Sequence, residues 1–209
     1  MKTRDRILQC SLTMFHQFGH IQISAVDIAD ALDMSPGNLY YHYHGKDSLL
    51  AELFYEYEAA INKFLLVYNK AEHEFDDYWS YLNIYVGLLQ QYSFFYRDVK
   101  LLFSEEKLLK RRFLRLVKGH HSFYLTLLSS MNDNGHIKMS SEQQEVISSV
   151  LVLLSTNSLD TQISDNDSAI QQSVQQIIFR TITLIEPYLS PKSRGKFLPI
   201  KTLFTQIKH

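Results

Sequence analysis

A single cysteine, Cys10, in 209 residues excludes an intramolecular disulfide and any zinc site built on several thiolates. A chain so poor in thiols fits a reducing cytoplasm. Long apolar runs are missing too. The longest purely aliphatic stretch, Val150 to Leu154, is far below the roughly 20 residues needed to span a bilayer. The opening MKTRDRILQC has no apolar signal core, so the expectation is a cytoplasmic protein with no membrane partner. Glycine and proline are scarce, 7 and 4 residues, which argues against a turn-rich sheet. Neither charge sign dominates: 21 Lys and Arg stand against 22 Asp and Glu. A broad lysine-coated polyanion binder is therefore excluded, although a local DNA footprint is not.

What is present favours helices. Leucine, glutamine, lysine and glutamate recur between the few breakers, and the apolar residues fall at helical spacing. A first helix is expected from about Thr3 to Phe18, with Ile7, Leu8, Ser11, Met14, Phe15 and Phe18 as its stripe and Gly19 as its stop. Ser24 then reads as an N-cap, with Asp27 near the free amides and Val26, Ile28, Ala29 and Leu32 as the apolar positions of about two turns. In DMSPGNLYYHYHGK, Asp33 and Met34 form a turn, Ser35 caps, and Pro36 takes the first helical position, where its missing amide costs little. Gly45 closes this second short helix. A longer one follows from Lys46 to about Asn69, with Leu49, Leu50, Leu53, Phe54, Tyr57 and Ile61 facing inward.

Two short helices around a tight turn, supported by a third, are the minimum device for offering one helix to a major groove. Asn38, Tyr41 and His42 carry groups able to meet base edges, Gly37 allows close approach, and Pro36 opens a helix terminus able to approach a phosphate. Tyr40 and Lys46 are placed to hold phosphates. Tyr40, Tyr41 and Tyr43 could instead pack the small bundle, and Lys46 could be a solvent-facing residue. His42 and His44 are not clustered with enough carboxylates or cysteines to form a metal site, so none is expected.

The segments RDRILQCSLTMFHQFG and ISAVDIADALDMSPGNLYYHYHGKDSLL resemble the TetR/AcrR family of bacterial transcriptional regulators, closely over about the first quarter of the chain. The resemblance implies an all-α fold: an N-terminal three-helix helix-turn-helix domain followed by a helical dimerisation and effector-binding domain. It implies that Ser24 caps the second helix and touches a phosphate, that Ile28 and Ala29 pack, and that Leu39 anchors the recognition helix. Tyr40 and Lys46 match phosphate-contacting positions, and Gly37, Asn38, Tyr41 and His42 match the surface approaching the major groove. Two residues depart from the pattern: Asp33 stands where a small residue or glycine is usual in the turn, and Tyr43 where phenylalanine is usual.

The expected layout is a head at residues 1–48, a linking helix at 46–69, a body at 49–190 and a C-terminal extension at 191–209. Body helices are expected at about Phe75–Arg97, Val99–Phe103, Glu105–Met131, Ser141–Thr161 and Asp167–Leu189, with turns at Asn132–Gly135 and Ser164–Asp167. Val146, Ile147, Val150, Leu151 and Leu154 on one helix, with Val174, Ile177, Ile178, Thr181, Ile182 and Ile185 on the next, form opposed stripes. These suit a four-helix homodimer interface or an internal core. Tyr78, Trp79, Leu82, Tyr85, Leu89, Phe94, Phe95, Phe113, Phe123, Tyr124 and Leu127 are candidates for enclosing a small apolar or amphipathic effector, with His120 or His121 as orienting groups. Core packing accounts for them equally well. The basic stretch from Lys107 to Lys118 reads as a solvated face, or as an attractor of an acidic effector, a partner or DNA.

The function that follows is sequence-specific regulation of transcription. A homodimer would occupy palindromic double-stranded promoter DNA as a repressor, and an effector would release it. An effector-independent regulator or an activator, and a ligand- or protein-interaction module with an inactive head, are the alternatives. No nucleophile, base and orienting group assemble in the sequence, so neither an enzyme nor a cofactor is expected.

Overall fold

The computed structural model describes residues 2–97, 107–157 and 167–205. Among these residues the secondary structure is helical apart from turns and one isolated antiparallel bridge, between Ile137 and Leu189. The head comprises α1 (Thr3–Phe18), α2 (Ala25–Ala31) and α3 (Pro36–His42), and α4 (Lys46–Tyr68) carries the chain into the body. The body continues with α5 (Phe75–Gln91), α6 (Phe94–Arg97), α7 (Lys107–Asp133), α8 (Ser141–Asn157) and α9 (Asp167–Ile185). A 3₁₀ turn, Glu186–Tyr188, and α10 (Pro191–Thr205) end the described chain. The short helix expected around Val99–Phe103 and the turn at residues 164–166 lie outside the described residues.

Local chemistry sets several of these boundaries. Ser140 and Gln143 cap α8 reciprocally: the Gln143 amide donates to Ser140 Oγ and the Ser140 amide to Gln143 Oε1. Gly135, at φ 71°, lets the chain leave α7 while the His136 amide returns to the Met131 carbonyl. The expected single helix over Phe75–Arg97 is broken. Tyr92 leaves helical geometry and stacks on Tyr57 at 4.7 Å, and α6 restarts so that Phe94 meets Phe15 of α1 at 5.7 Å. The last body helix stops at Ile185 rather than Leu189, because Pro187 offers no amide and the backbone tightens into 3₁₀ geometry.

The residues expected to form an extension after 190 pack as a helix. Pro191 takes the first position of α10 and Phe197 is buried against Trp79, with ring centroids 5.7 Å apart. One cluster of buried apolar side chains runs from Ile7 in the head to Phe197, so head and body share a continuous core. Helix α4 lies along it, burying Leu49, Leu50, Leu53, Phe54, Tyr57, Ile61, Phe64 and Tyr68. Each large apolar side chain removed from water contributes roughly 1.5–3 kcal/mol, so α4 is anchored along its whole length.

Candidate nucleic-acid interface

Helices α2 and α3 have seven residues each, too few to persist alone, and their ends are stabilised by specific caps. Ser24 Oγ accepts from the Asp27 amide at 3.2 Å while the Ser24 amide donates to Asp27 Oδ2 at 2.7 Å. Bonds from Ser24 hold the Asp27 carboxyl below its ordinary pKa, so it is a carboxylate facing the free amides of α2. The turn then reverses through Asp33 at φ 53°, and the Met34 amide donates to the Ala29 carbonyl at 3.0 Å. Aspartate is one of the few non-glycine residues that accept this region. The departure at Asp33 is therefore accommodated in the left-handed conformation that the tight turn needs. Ser35 Oγ accepts from the Asn38 amide at 3.3 Å and starts α3.

One residue fixes which way α3 faces. Leu39 is fully buried, while Pro36, Gly37, Asn38, Tyr40 and Tyr41 are exposed. Tyr41 keeps 81% of its surface in water and Tyr40 51%, far more than rings used for packing would. His42 is half-buried, its ring edge-on to Tyr41 at 5.2 Å. Tyr40 lies beside Gly45, whose φ of 89° turns the chain into α4. Lys46 is not simply solvent-facing: its Nζ donates to the His20 carbonyl at 2.9 Å, tying the α1–α2 loop to the start of α4. Tyr43 is buried, with the Arg4 guanidinium 4.7 Å above its ring centroid.

Two side chains differ from the sequence expectation for the head. Val26 and Phe18 are exposed, 47% in the case of Val26, and Leu12 takes a place in the core instead. So short a helix as α2 buries one narrow stripe, Ile28 and Ala29, and Val26 falls outside it. Its apolar surface next to the Ser24 cap is a contact candidate that the sequence pattern hid among packing residues.

A surface-facing α3 behind a capped α2 and a tight turn is a helix-turn-helix head, and comparison with known proteins agrees. The model for bacterial regulatory proteins of the tetR family matches residues 7–53, and the TetR model, described as bacterial transcriptional repressor, matches residues 56–197, more than half of the chain. The chain belongs to the TetR family. A TetR-family transcriptional regulator from Marinobacter aquaeolei VT8 is 29% identical, with a TM-score of 0.83 over 98% of this chain and 99% of that one. The ketosteroid transcriptional regulator KstR2 of Mycobacterium tuberculosis shares the fold at 13% identity, with a TM-score of 0.68 over 90% of this chain and 96% of that one. None of the curated proteins matches the sequence. This TetR-family member is thus a DNA-binding transcriptional regulator and not an enzyme. Among the described residues no helix is long and apolar enough to cross a membrane, and no group of three His, Cys, Asp or Glu side chains could hold a metal ion.

In the body, all eleven side chains named as effector candidates are buried. Phe113, Phe94 and Phe95 gather around Phe54 and Phe15, where α6 meets α4 and α1. Tyr85 and Phe123 meet Phe64, with their own ring centroids only 3.9 Å apart, and Tyr124 meets Tyr85 edge-on. Tyr78 bonds Ser130 Oγ at 2.8 Å, and Trp79 packs on Phe75 and Phe197. Leu82, Leu89 and Leu127 belong to the same buried cluster.

At the centre sits an imidazole. His120 is fully buried, its Nδ1 2.5 Å from the Tyr85 hydroxyl and its Nε2 2.6 Å from that of Tyr96, which is itself 2.6 Å from the Tyr57 hydroxyl. Burial pulls the His120 pKa down to about 3 and pushes the phenols of Tyr57, Tyr85 and Tyr96 well up. The cluster is uncharged at neutral pH. The sequence pointed to His120 but missed Tyr57 and Tyr96, since partners 24 and 63 residues away leave no local signature. His121 faces the other way and pairs with Glu145 at 3.3 Å.

Helix α6 also grips the head. The Arg97 guanidinium donates to the Phe15 and His16 carbonyls, at 3.2 and 2.7 Å, at the end of α1. Ser93 Oγ lies 3.2 Å from His16 Nδ1. Residues 93–97 therefore touch α1 with one side and the His120 cluster with the other.

The proposed interface residues divide. Leu151, Val174, Ile177, Ile178, Thr181, Ile182 and Ile185 are buried in the chain's own core, because α9 packs against α5 and α8. A partner cannot reach them without unpacking the body. Ile147, Val150 and Leu154 are half-buried, and Val146 is 57% exposed. Leu153, not singled out by the stripe, joins Val146 on the outer face.

Proposed function

We propose that this regulator is a repressor that binds a palindromic promoter site as a homodimer and leaves it when the body takes up a small apolar or amphipathic effector. The observation carrying the DNA-reading half is the outward row on α3: Asn38, Tyr40 and Tyr41 exposed around a buried Leu39. Asn38, Tyr41 and His42 read base edges and Gly37 admits the duplex. Ser24, Pro36, Tyr40 and the protons of Lys46 not given to His20 hold phosphates. The head carries few cations, so affinity rests on fit and on two paired heads more than on a general positive field.

Dimerisation uses the outer faces of α8 and α9, with Val146, Val150 and Leu153 as apolar contacts. An effector acts by moving α4 and α6, the two elements that join body to head. It needs different affinities for the DNA-competent and released arrangements to do so. The eleven buried side chains, with Tyr57, Tyr96 and His120, supply apolar area and hydroxyl or imidazole partners for it.

Selection of the purified protein against a random duplex pool, sequenced over a salt series, tests this reading. Enrichment of one inverted repeat is expected. Binding that is equal for all sequences, or a monomer at binding concentrations, would overturn it.

A further inference from the structure

An open groove of about 630 Å³ runs between α4 and α7. Ile61 and Leu65 of α4 and Leu108 and Leu116 of α7 form its apolar part, and Leu108 keeps 61% of its surface exposed. Two cations of α7, Arg112 and Arg115, line it, within a stretch that has no acid from Lys110 to Lys118, and the one carboxylate lining the groove is Glu58. That carboxylate is engaged: Arg112 Nε donates to Glu58 Oε2 at 3.1 Å, and the Arg112 guanidinium lies 4.7 Å over the Tyr55 ring. Arg112 is thereby pinned and its charge matched.

Arg115 differs. It lies nearly one helical turn further along, lines the same groove, is exposed, and forms no ion pair with another described residue. One turn beyond it Gly119 leaves the wall open, with nothing within 4 Å of where a Cβ would stand. The floor lies close to the body's polar centre. Ile61 and Leu116 stand four residues from Tyr57 and His120, on the same helix faces. A merely solvated charged face would not set an unmatched arginine beside an exposed leucine over a concave apolar floor.

We infer that this groove binds an amphipathic organic anion, its carboxylate on the Arg115 guanidinium and its apolar chain along Ile61, Leu65, Leu108 and Leu116. Arginine supplies a planar fork matched to a carboxylate. The inference rests on the effector reading above, gives the ligand a charge, and places it in this groove rather than among the buried aromatic side chains of the body. A chain wedged between α4 and α7 bears directly on the helix that carries the DNA-reading head and on the turn that holds His120.

The test uses the full chain without DNA: decanoate and its neutral counterpart 1-decanol compete against the fluorescence of bound anilinonaphthalene sulfonate. Decanoate should bind more tightly than decanol. Arg115→Gln should weaken decanoate about tenfold, the effect of one charge-assisted hydrogen-bonding pair, and leave decanol unchanged, while Lys110→Gln, outside the groove, should change neither. Equal affinity for acid and alcohol, or equal losses in the two variants, would overturn the site. So would an Arg115→Gln defect confined to nonspecific duplex binding, which would make the face a nucleic-acid surface. Decanoate binding as stated, with no change in the affinity for a selected duplex, would leave the groove standing and sink effector release instead.

Discussion

Head and body use the same residue in opposite ways. Tyr40 and Tyr41 face water on α3, whereas Tyr57, Tyr85 and Tyr124 lie inside the body with their hydroxyls on Tyr96, His120 and Ser155 respectively. The difference follows from helix length. A seven-residue helix buries one stripe, here Leu39, and leaves the rest of its circumference outside. Helices of 17 to 27 residues packed on several sides, such as α5 and α7, bury tyrosines and must find partners for them. Tyrosine content therefore says little about function; the number of faces a helix must bury says more.

The comparison can be broken most directly at two aromatic positions. Phe54→Ala, deleting a fully buried ring that meets Phe95 and Phe113, should cost about 3–5 kcal/mol in urea unfolding followed by circular dichroism. Tyr41→Ala should change stability by less than about 0.5 kcal/mol and still lower affinity for the selected duplex. A Tyr41→Ala loss of stability comparable with that of Phe54→Ala would show that the exposed ring packs, and the division between head and body would fall.

A second probe separates the two regions by pH. His120 is neutral in the fold because burial holds its pKa near 3, whereas in the unfolded chain it titrates near its ordinary value of about 6.5. Its contribution is fully present above about pH 6.5 and is lost as pH falls toward the folded value, since only the unfolded chain gains the proton. Between pH 7 and 5, wild type should lose about 2 kcal/mol more stability than His120→Gln. Parallel losses in the two proteins would mean that the imidazole is not held neutral by the core.

The join between the regions is a smaller target. Arg97→Gln removes the charged donor from the Phe15 and His16 carbonyls and should cost about 1.5 kcal/mol. Hydrogen exchange should quicken in the last turn of α1 but not in α3. Unchanged exchange at the end of α1 would show that α6 does not clamp the head.

The head was more legible in the sequence than the body, for physical reasons. Ser24 with Asp27, Ser35 with Pro36, and Gly45 act within a few residues of themselves, so pattern alone located all three head helices and the start of α4. The body depends on contacts between distant segments. Nothing near Tyr92 announces that its ring will stack on Tyr57 and break the helix. Nothing near Ile178 or Ile182 distinguishes a stripe facing the chain's own core from one facing a second copy, because both are equally apolar. Lys46 shows the same limit in the head: a lysine at a position proposed to hold a phosphate is visible in sequence, its bond to the His20 carbonyl across 26 residues is not.

The smallest effect tests whether the head's local chemistry has one role or two. Ser24 caps α2 through the Asp27 amide and also donates to Asp27 Oδ2 at 2.7 Å. Ser24→Ala removes both bonds and should cost about 1 kcal/mol of stability. Ser24→Asp retains an acceptor at the cap but places a carboxylate beside that of Asp27 and toward the duplex. If Ser24 is a cap alone, Ser24→Asp should retain more stability than Ser24→Ala and both should bind the selected duplex like wild type once folded. If it also holds a phosphate, both variants should bind more weakly, the aspartate more so, and the deficit of the aspartate should shrink as salt screens the added charge. Equal duplex affinity for all three proteins at low salt would remove Ser24 from the interface and leave phosphate holding to Tyr40 and Lys46.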